Sequence, residues 1–344
     1  MIYRPAAPDD GPEMLRLIES HATGGKMRII YSRRPDVYQS YKTECADAEM
    51  ILCVDDDGRI LAQFTCLPRK LYIDREICTV GYVTGLHKTD GSHVNIMKLL
   101  LAGYARSSAK QFFCSFLDDN QSAFNMFAKR GLIHQICDYS TYLFSTAAMK
   151  PARHGLSFRC ATIGDTERLL HFYNEAGSKY SYFPVFSSMD DFPGLTVPDF
   201  FILENGDNIV AAGALWDQKT YKQYIALGYE GIYRFATVGN PLLRALRYPT
   251  LPKINEAAHF AYISFLLCRD NDSILERALL GEISAAAHSY DFVTVGAAKG
   301  SAMGQYLDSV KSIKIGSRLC TIDYNRSGAA AITETPLRFE CALL

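Results

Sequence analysis

Ten cysteines are the side chains of this sequence best suited to nucleophilic, redox or metal chemistry, and their spacing argues for none of it. No two stand as C-x-x-C, so neither a metal clip nor a disulfide framework is indicated. Cys53, Cys66, Cys78 and Cys114 sit inside apolar, strand-like runs, where a free thiol behaves as a small hydrophobe. Two titratable residues stand out by position. His87 follows directly on an apolar run and is a base by type, although a lone histidine after a strand is as readily a surface residue. Tyr306, in a late amphipathic segment, is either a proton donor or a ring packed on its own sheet.

Charge narrows the function classes. Lys plus Arg number 36 and Asp plus Glu 37, so the net charge is -1, with no overall attraction to nucleic acid or anionic lipid. No apolar stretch approaches the roughly 20 residues that span a bilayer, and the opening MIYRPAAPDDGPEML carries no basic-then-apolar leader. The expectation is a cytoplasmic protein with no nucleic-acid partner and no membrane span.

The elements that must position such residues occur twice. Tyr3-Arg4-Pro5-Ala6-Ala7-Pro8-Asp9-Asp10 recurs loosely as Phe158-Arg159-Cys160-Ala161-Thr162-Ile163-Gly164-Asp165, with Arg4/Arg159, Ala6/Ala161 and Asp10/Asp165 at one shared offset. Each copy reads as a short strand ending at an acidic N-cap and running into an amphipathic helix; Asp10 with Glu13 has capping-box spacing. Hairpins at 50–66 and 200–216 turn at Asp55-Asp56-Asp57-Gly58 and Glu204-Asn205-Gly206-Asp207-Asn208. Long strands follow at 76–86 and 258–268, helices at 94–107 and 273–288, strands at 111–116 and 292–295, then helices at 121–129 and 301–310. The order β-α-hairpin-β-α-β-α-β in each half predicts a mixed α/β sheet, two domains at 1–148 and 156–344, a linker at 147–155, and an insertion rich in Tyr and Pro near 221–255. That insertion either lines a pocket or covers the domain interface.

This order resembles the GNAT superfamily of acyl-CoA N-acyltransferases, over nearly the whole chain and twice. The family's loop Q/R-x-x-G-x-G/A opens a helix whose N-terminal amides close on the coenzyme A pyrophosphate. Here Leu86-His87-Lys88-Thr89-Asp90-Gly91-Ser92-His93-Val94-Asn95-Ile96 stands in that place, with Gly91, Val94 and Ile96 at the motif positions and none of them matching. Lys88, Ser92 and Asn95 offer donors to phosphate, whereas Asp90 opposes an anion, so the loop reads either as a diverged cofactor site or as a strand-to-helix turn. The second copy has Cys268-Arg269-Asp270-Asn271-Asp272-Ser273-Ile274-Leu275-Glu276, without glycine and with carboxylates that would repel a pyrophosphate; Asp272 or Ser273 reads as a structural N-cap. The family's N-x-x-A-x-x-x-Y helix is matched by Asn120-Gln121-Ser122-Ala123-Phe124-Asn125-Met126-Phe127, where phenylalanine replaces the proton-donating tyrosine, while Ala302-Met303-Gly304-Gln305-Tyr306 keeps it.

The resemblance implies transfer of an acetyl or other acyl group from acyl-CoA to an amine acceptor, small molecule or peptide. Acetyl-CoA or a longer acyl-CoA would be held mainly by the first copy, through Gly85, Leu86, Lys88, Gly91, Ser92, Val94, Asn95, Ile96 and Asn120. A backbone N–H of the strand segment 83–86 would polarise the thioester, Gly85 permitting a bulge that splays this strand from its neighbour. His87 or a strand carboxylate would be the base, and Tyr306 the acid if the second copy works. The final Arg338-Phe339-Glu340-Cys341-Ala342-Leu343-Leu344 is apolar and strand-like; it either completes a sheet or, as in N-myristoyltransferase-like and Eis-like members, brings a C-terminal carboxylate to the site. The competing class is a catalytically silent GNAT-like module binding a small ligand or a protein.

Overall fold

The computed structural model describes residues 1–22, 27–149, 151, 155–235, 239–324 and 333–344. The first half runs β1 (Ile2–Pro5), α1 (Gly11–Glu19), β2 (Met27–Ser32), α2 (Val37–Glu44), β3 (Glu49–Val54), β4 (Ile60–Ile73), β5 (Glu76–Lys88), α3 (Ile96–Tyr104), β6 (Gln111–Leu117), α4 (Gln121–Ala128) and β7 (Ile133–Phe144). The second half runs β8 (Ser157–Cys160), α5 (Thr166–Gly177), β9 (Phe200–Asn205), β10 (Asn208–Trp216), β11 (Gln223–Tyr229), α6 (Asn240–Ala245), β12 (Phe260–Cys268), α7 (Ser273–Ala286), β13 (Phe292–Ala298), α8 (Ala302–Leu307) and β14 (Ser312–Ile322). The expected linker at 147–155 lies partly outside the described residues.

Twelve strands form one mixed sheet in the order β1-β3-β4-β5-β6-β14-β7-β13-β12-β10-β9-β8, and β2 pairs with β11 in a separate ribbon. At its centre the halves trade a strand. β14 lies antiparallel between β6 and β7, from Ser317–Leu117 on one side and Ser312–Phe144 on the other, and β7 in turn carries β13 on its far edge. The proposed division between 1–148 and 156–344 follows the chain, while the sheet crosses it.

The recurring Arg and Asp have a shared duty. Arg4 forks on to Asp10 with two 2.7 Å bonds, and Arg159 on to Asp165 at 2.7 and 3.0 Å, tying the first strand of each repeat to the helix that follows. This replaces the expected capping box: Asp10 makes no side-chain cap bond to α1, because its carboxylate is engaged by Arg4 and the Ala7 N–H. Burial follows the pattern expected of central strands; β12, FAYISFLLC, is buried at every position after Phe260. One core lies on the α1, α2 and α5 face and runs continuously through both repeats, while Leu99, Leu100, Phe116 and Phe127 under α3 and α4, and Leu279, Leu280 and Leu307 under α7 and α8, form two separate cores on the other. Elements also form where the sequence pattern marks none: β2 and α2 between 22 and 44, and β11 and α6 within the insertion at 221–255. Among the described residues no helix is long and apolar enough to cross a membrane.

Candidate functional site

Each repeat opens its sheet at the same point. β5 and β6 pair in parallel only from Val80–Gln111 to Val83–Cys114. Just beyond, Thr84 faces Thr65 and His87 faces Gln63, so Gly85 and Leu86 together oppose Phe64 as a bulge. Gly85 has φ +62°. In the second repeat β12 and β13 pair from Phe260–Phe292 to Tyr262–Thr294, and Ser264–Ala214 followed by Leu267–Ala212 leaves Phe265 and Leu266 as the corresponding bulge. Phe265 takes φ +53° although it carries a side chain. Its ring is pinned among Phe192 at 4.6 Å, Phe186 at 5.1 Å and Trp216 at 5.7 Å, and this packing offsets the left-handed backbone.

The two gaps differ in what fills them. In the second repeat the Phe265 N–H donates to Glu340 Oε2 at 2.6 Å, and the other carboxylate oxygen accepts from Ala342 N at 3.0 Å. Arg338 donates to the Leu266 carbonyl and to the Glu276 carboxylate. Burial pushes the Glu340 carboxyl up against these backbone bonds. The final segment therefore returns to the core as expected, but as a 3₁₀ turn at Cys341–Leu343 rather than as a sheet-completing strand. In the first repeat no described side chain accepts from Gly85. A separate void of about 20 Å³, room for roughly one water, lies between Leu67, Tyr82, Phe113, Tyr182, Phe339 and Leu343, and the bulge residues do not line it.

Below the Gly85 bulge lies a buried polar cluster. A Cβ built on Gly85 would stand 2.2 Å from the Tyr41 Oη, and that hydroxyl is buried without a hydrogen-bond partner among the described residues. Arg33 stacks 3.7 Å over the Tyr41 ring and bonds Glu44 at 2.5 Å; Arg69 reaches Glu44 at 3.2 Å and Lys222 lies 3.9 Å from it. Lys222 Nζ also donates to the carbonyls of Ala342 at 3.3 Å and Leu344 at 3.0 Å. Burial alone would raise Glu44, yet Arg33, Lys222 and Arg69 together reverse this and hold it at about 2. Lys222 is pushed down to about 8 by burial, partly opposed by Glu44. These residues come from four distant segments, and none is signalled by a local motif.

All but one of the expected donor-site residues run along a single rim of chain from the end of β5 into α3, and Asn120 stands at the start of α4. Gly85, Leu86, His87 and Lys88 end β5, and Gly91, Ser92, Val94, Asn95 and Ile96 lead into α3. Lys88 Nζ donates to Ser92 O at 3.0 Å and Ser92 Oγ to Thr89 O at 2.7 Å, which fixes the loop. Asn95 caps α3 by accepting from Lys98 N at 3.2 Å, and Asn120 caps α4 by accepting from Ala123 N at 3.4 Å. Val94, Ile96 and Leu86 pack into the core under α3. Gly91 has φ +72° and open space around it. His87 lies against His21, ring centroids 5.3 Å apart, and burial with that neighbour lowers it to about 4, leaving a neutral imidazole at pH 7. Phe127 is buried against Phe116 at 5.7 Å. Tyr306 stands apart from this rim, on α8 of the second repeat, under the Arg277 guanidinium at 4.9 Å. Asp272 caps α7 by accepting from Ile274 N at 2.8 Å and Leu275 N at 3.2 Å.

No protein-family model matches the sequence, and no curated protein matches it in sequence. Solved structures share its fold. An N-myristoyltransferase of Saccharomyces cerevisiae with bound myristoyl-CoA superposes with TM-score 0.60 at 7% identity, over 93% of this chain and 78% of the other. A probable N-acyltransferase of Enterococcus faecalis V583 gives 0.54 at 10% identity, over 95% and 73%. A GCN5-related N-acetyltransferase of Sphaerobacter thermophilus gives 0.52 at 13%, over 98% and 97%.

Proposed function

From this tandem GNAT fold we propose that the chain is an N-acyltransferase that takes an acyl group from an acyl-CoA thioester to an amine, with the donor held by the first repeat. The observation that carries the reading is the paired bulge. The Phe265 amide already holds an oxygen, that of Glu340; by analogy we read the counterpart at Gly85 as the amide that would hold a thioester oxygen. The second gap, filled by its own chain, leaves the first as the site for a donor.

The chemistry asked of the protein is modest. An amide at Gly85 or Leu86 stabilises the oxygen on which charge develops as the amine attacks the carbonyl carbon and the C–S bond breaks. The departing thiolate, close in basicity to a free cysteine, leaves without an acid, so Phe127 is no obstacle. His87 is the base by position, neutral at pH 7, although the burial that holds it at about 4 makes it a weak one. With Asn95 committed as a cap and the Ser92 hydroxyl to Thr89 O, Lys88 and the first amides of α3 are the donors left for pyrophosphate. Acetyl-CoA or a longer acyl-CoA suits these groups equally.

Titration with acetyl-CoA and longer acyl-CoAs, followed by thermal unfolding, tests this directly. A site filled at 100 times its dissociation constant adds about 2.7 kcal/mol, and Gly91→Asp should abolish the shift. Tyr306→Phe should leave turnover unchanged. A protein that no thioester stabilises is instead a silent module that binds another ligand.

A further inference from the structure

The near-zero net charge hides a local asymmetry. Residues 231–255 contain Arg234, Arg244, Arg247 and Lys253 and not one Asp or Glu, so the rest of the chain carries a net charge of -5. Each of these four cations is exposed, and Arg234 and Arg247 make no ion pair with a described residue; Arg244 lies 3.7 Å from Asp291 and Lys253 3.7 Å from Glu256. Lys311 from the foot of β14 joins them, its Nζ 5.7 Å over the Tyr248 ring and bonded to Leu246 O.

Interleaved with the cations are the largest exposed apolar side chains of the second repeat's insertion: Phe235 at 72%, Leu242 at 63%, Ile254 at 53% and Leu246 at 47% exposure. Leu242 in α6 and Leu246 at its C-cap stand four residues apart, the spacing of one helix face. The opposite face is anchored: Leu243 packs on Ala226, Tyr229 and Leu251, Tyr229 Oη donates to Pro252 O at 2.7 Å, and Asn240 exchanges two bonds with Leu251. The described residues of the segment, 231–235 and 239–255, thus form a clamped platform that turns its basic and aliphatic side chains outward.

We propose that this platform docks the protein on an anionic lipid surface, with Phe235, Leu242, Leu246 and Ile254 entering the headgroup boundary and the four cations meeting lipid phosphates and carboxylates. Two copies of the patch would bring like charges face to face, which disfavours self-association. Nucleic acid would satisfy the cations but leave the aliphatic side chains without apolar partners. The acidic remainder of the chain orients the molecule with this face toward a negative bilayer.

The test is co-sedimentation of the full chain with vesicles of phosphatidylcholine alone or containing roughly one-third phosphatidylserine. Binding should require phosphatidylserine and weaken with salt. Arg234→Gln with Arg247→Gln should lower partitioning about thirtyfold, at about fivefold per cation removed from the surface. Leu242→Ser with Leu246→Ser should also lower it, and all four changes, being at exposed positions, should leave thermal unfolding unaltered. Equal partitioning on both vesicle types, wild-type partitioning by either double variant, or displacement from vesicles by single-stranded DNA at low salt overturns the proposal.

Discussion

Replacing Gly85 by alanine tests the geometry at the first bulge. The new methyl would sit 2.2 Å from Tyr41 Oη and 3.3 Å from its ring carbon Cζ, with Thr65 Oγ1 next at 3.9 Å. Two costs add. Holding a residue with a Cβ at φ +62° costs about 1–2 kcal/mol, and overpacking against a hydroxyl of a fully buried ring costs about 1–3 kcal/mol more. The total is about 2–5 kcal/mol. The contributions separate in Tyr41→Phe, which deletes the colliding oxygen and leaves the methyl with the 3.3 Å contact that a few tenths of an ångström relieve. In that background Gly85→Ala should cost only the backbone share, about 1–2 kcal/mol. Urea unfolding of wild type, both single variants and the double variant closes the cycle. A penalty for Gly85→Ala that is the same with tyrosine or phenylalanine at position 41 refutes the reasoning, because the hydroxyl would then not occupy the space assigned to it.

Further outcomes follow from the buried charges. Glu44, held at about 2 against an ordinary 4.5, contributes stability that is complete above pH 4.5 and is lost as pH falls through about 2, about 3 kcal/mol in all; Glu44→Gln should flatten the acid limb of a urea-midpoint profile. Lys222 has the opposite slope. Its folded value of about 8 lies below the ordinary 10.5, so the unfolded chain binds more protons between them and stability should rise by about 3 kcal/mol from pH 8 to 10.5, a rise absent in Lys222→Met. Arg338→Ala strands Glu276, 6% exposed, without its cation and should destabilise by about 3 kcal/mol in denaturant unfolding.

Much of the fold is written in local pattern. The hairpins, the Arg4 and Arg159 strands and the helices after β5 and β12 follow from periodicity and turn residues, and Gly85 announces its bulge because glycine tolerates positive φ. Phe265 announces nothing: only a cage of aromatic rings from other elements makes its conformation affordable. Asp10 and Glu13 have the spacing of a capping box, yet Arg4 outcompetes the helix amides, since a two-pronged ionic bond outweighs a neutral cap. The cluster of Arg33, Glu44, Arg69 and Lys222 is invisible in sequence because its members come from three separate stretches of chain, at 33–44, 69 and 222. The same holds for the traded strand, as β7 and β14 are alike in length and apolar pattern and either could stay with its own repeat.

That trade has a consequence for how the chain is made. When the first half has left the ribosome, β6 has no antiparallel neighbour and β7 has none on either side, because β14, the strand that belongs between them, and β13 are both made with the second half. Two unpaired edges in the middle of a sheet invite pairing with other chains. Native order in the first half therefore waits for the second, the two must melt together, and a truncated first half should be recovered as aggregate.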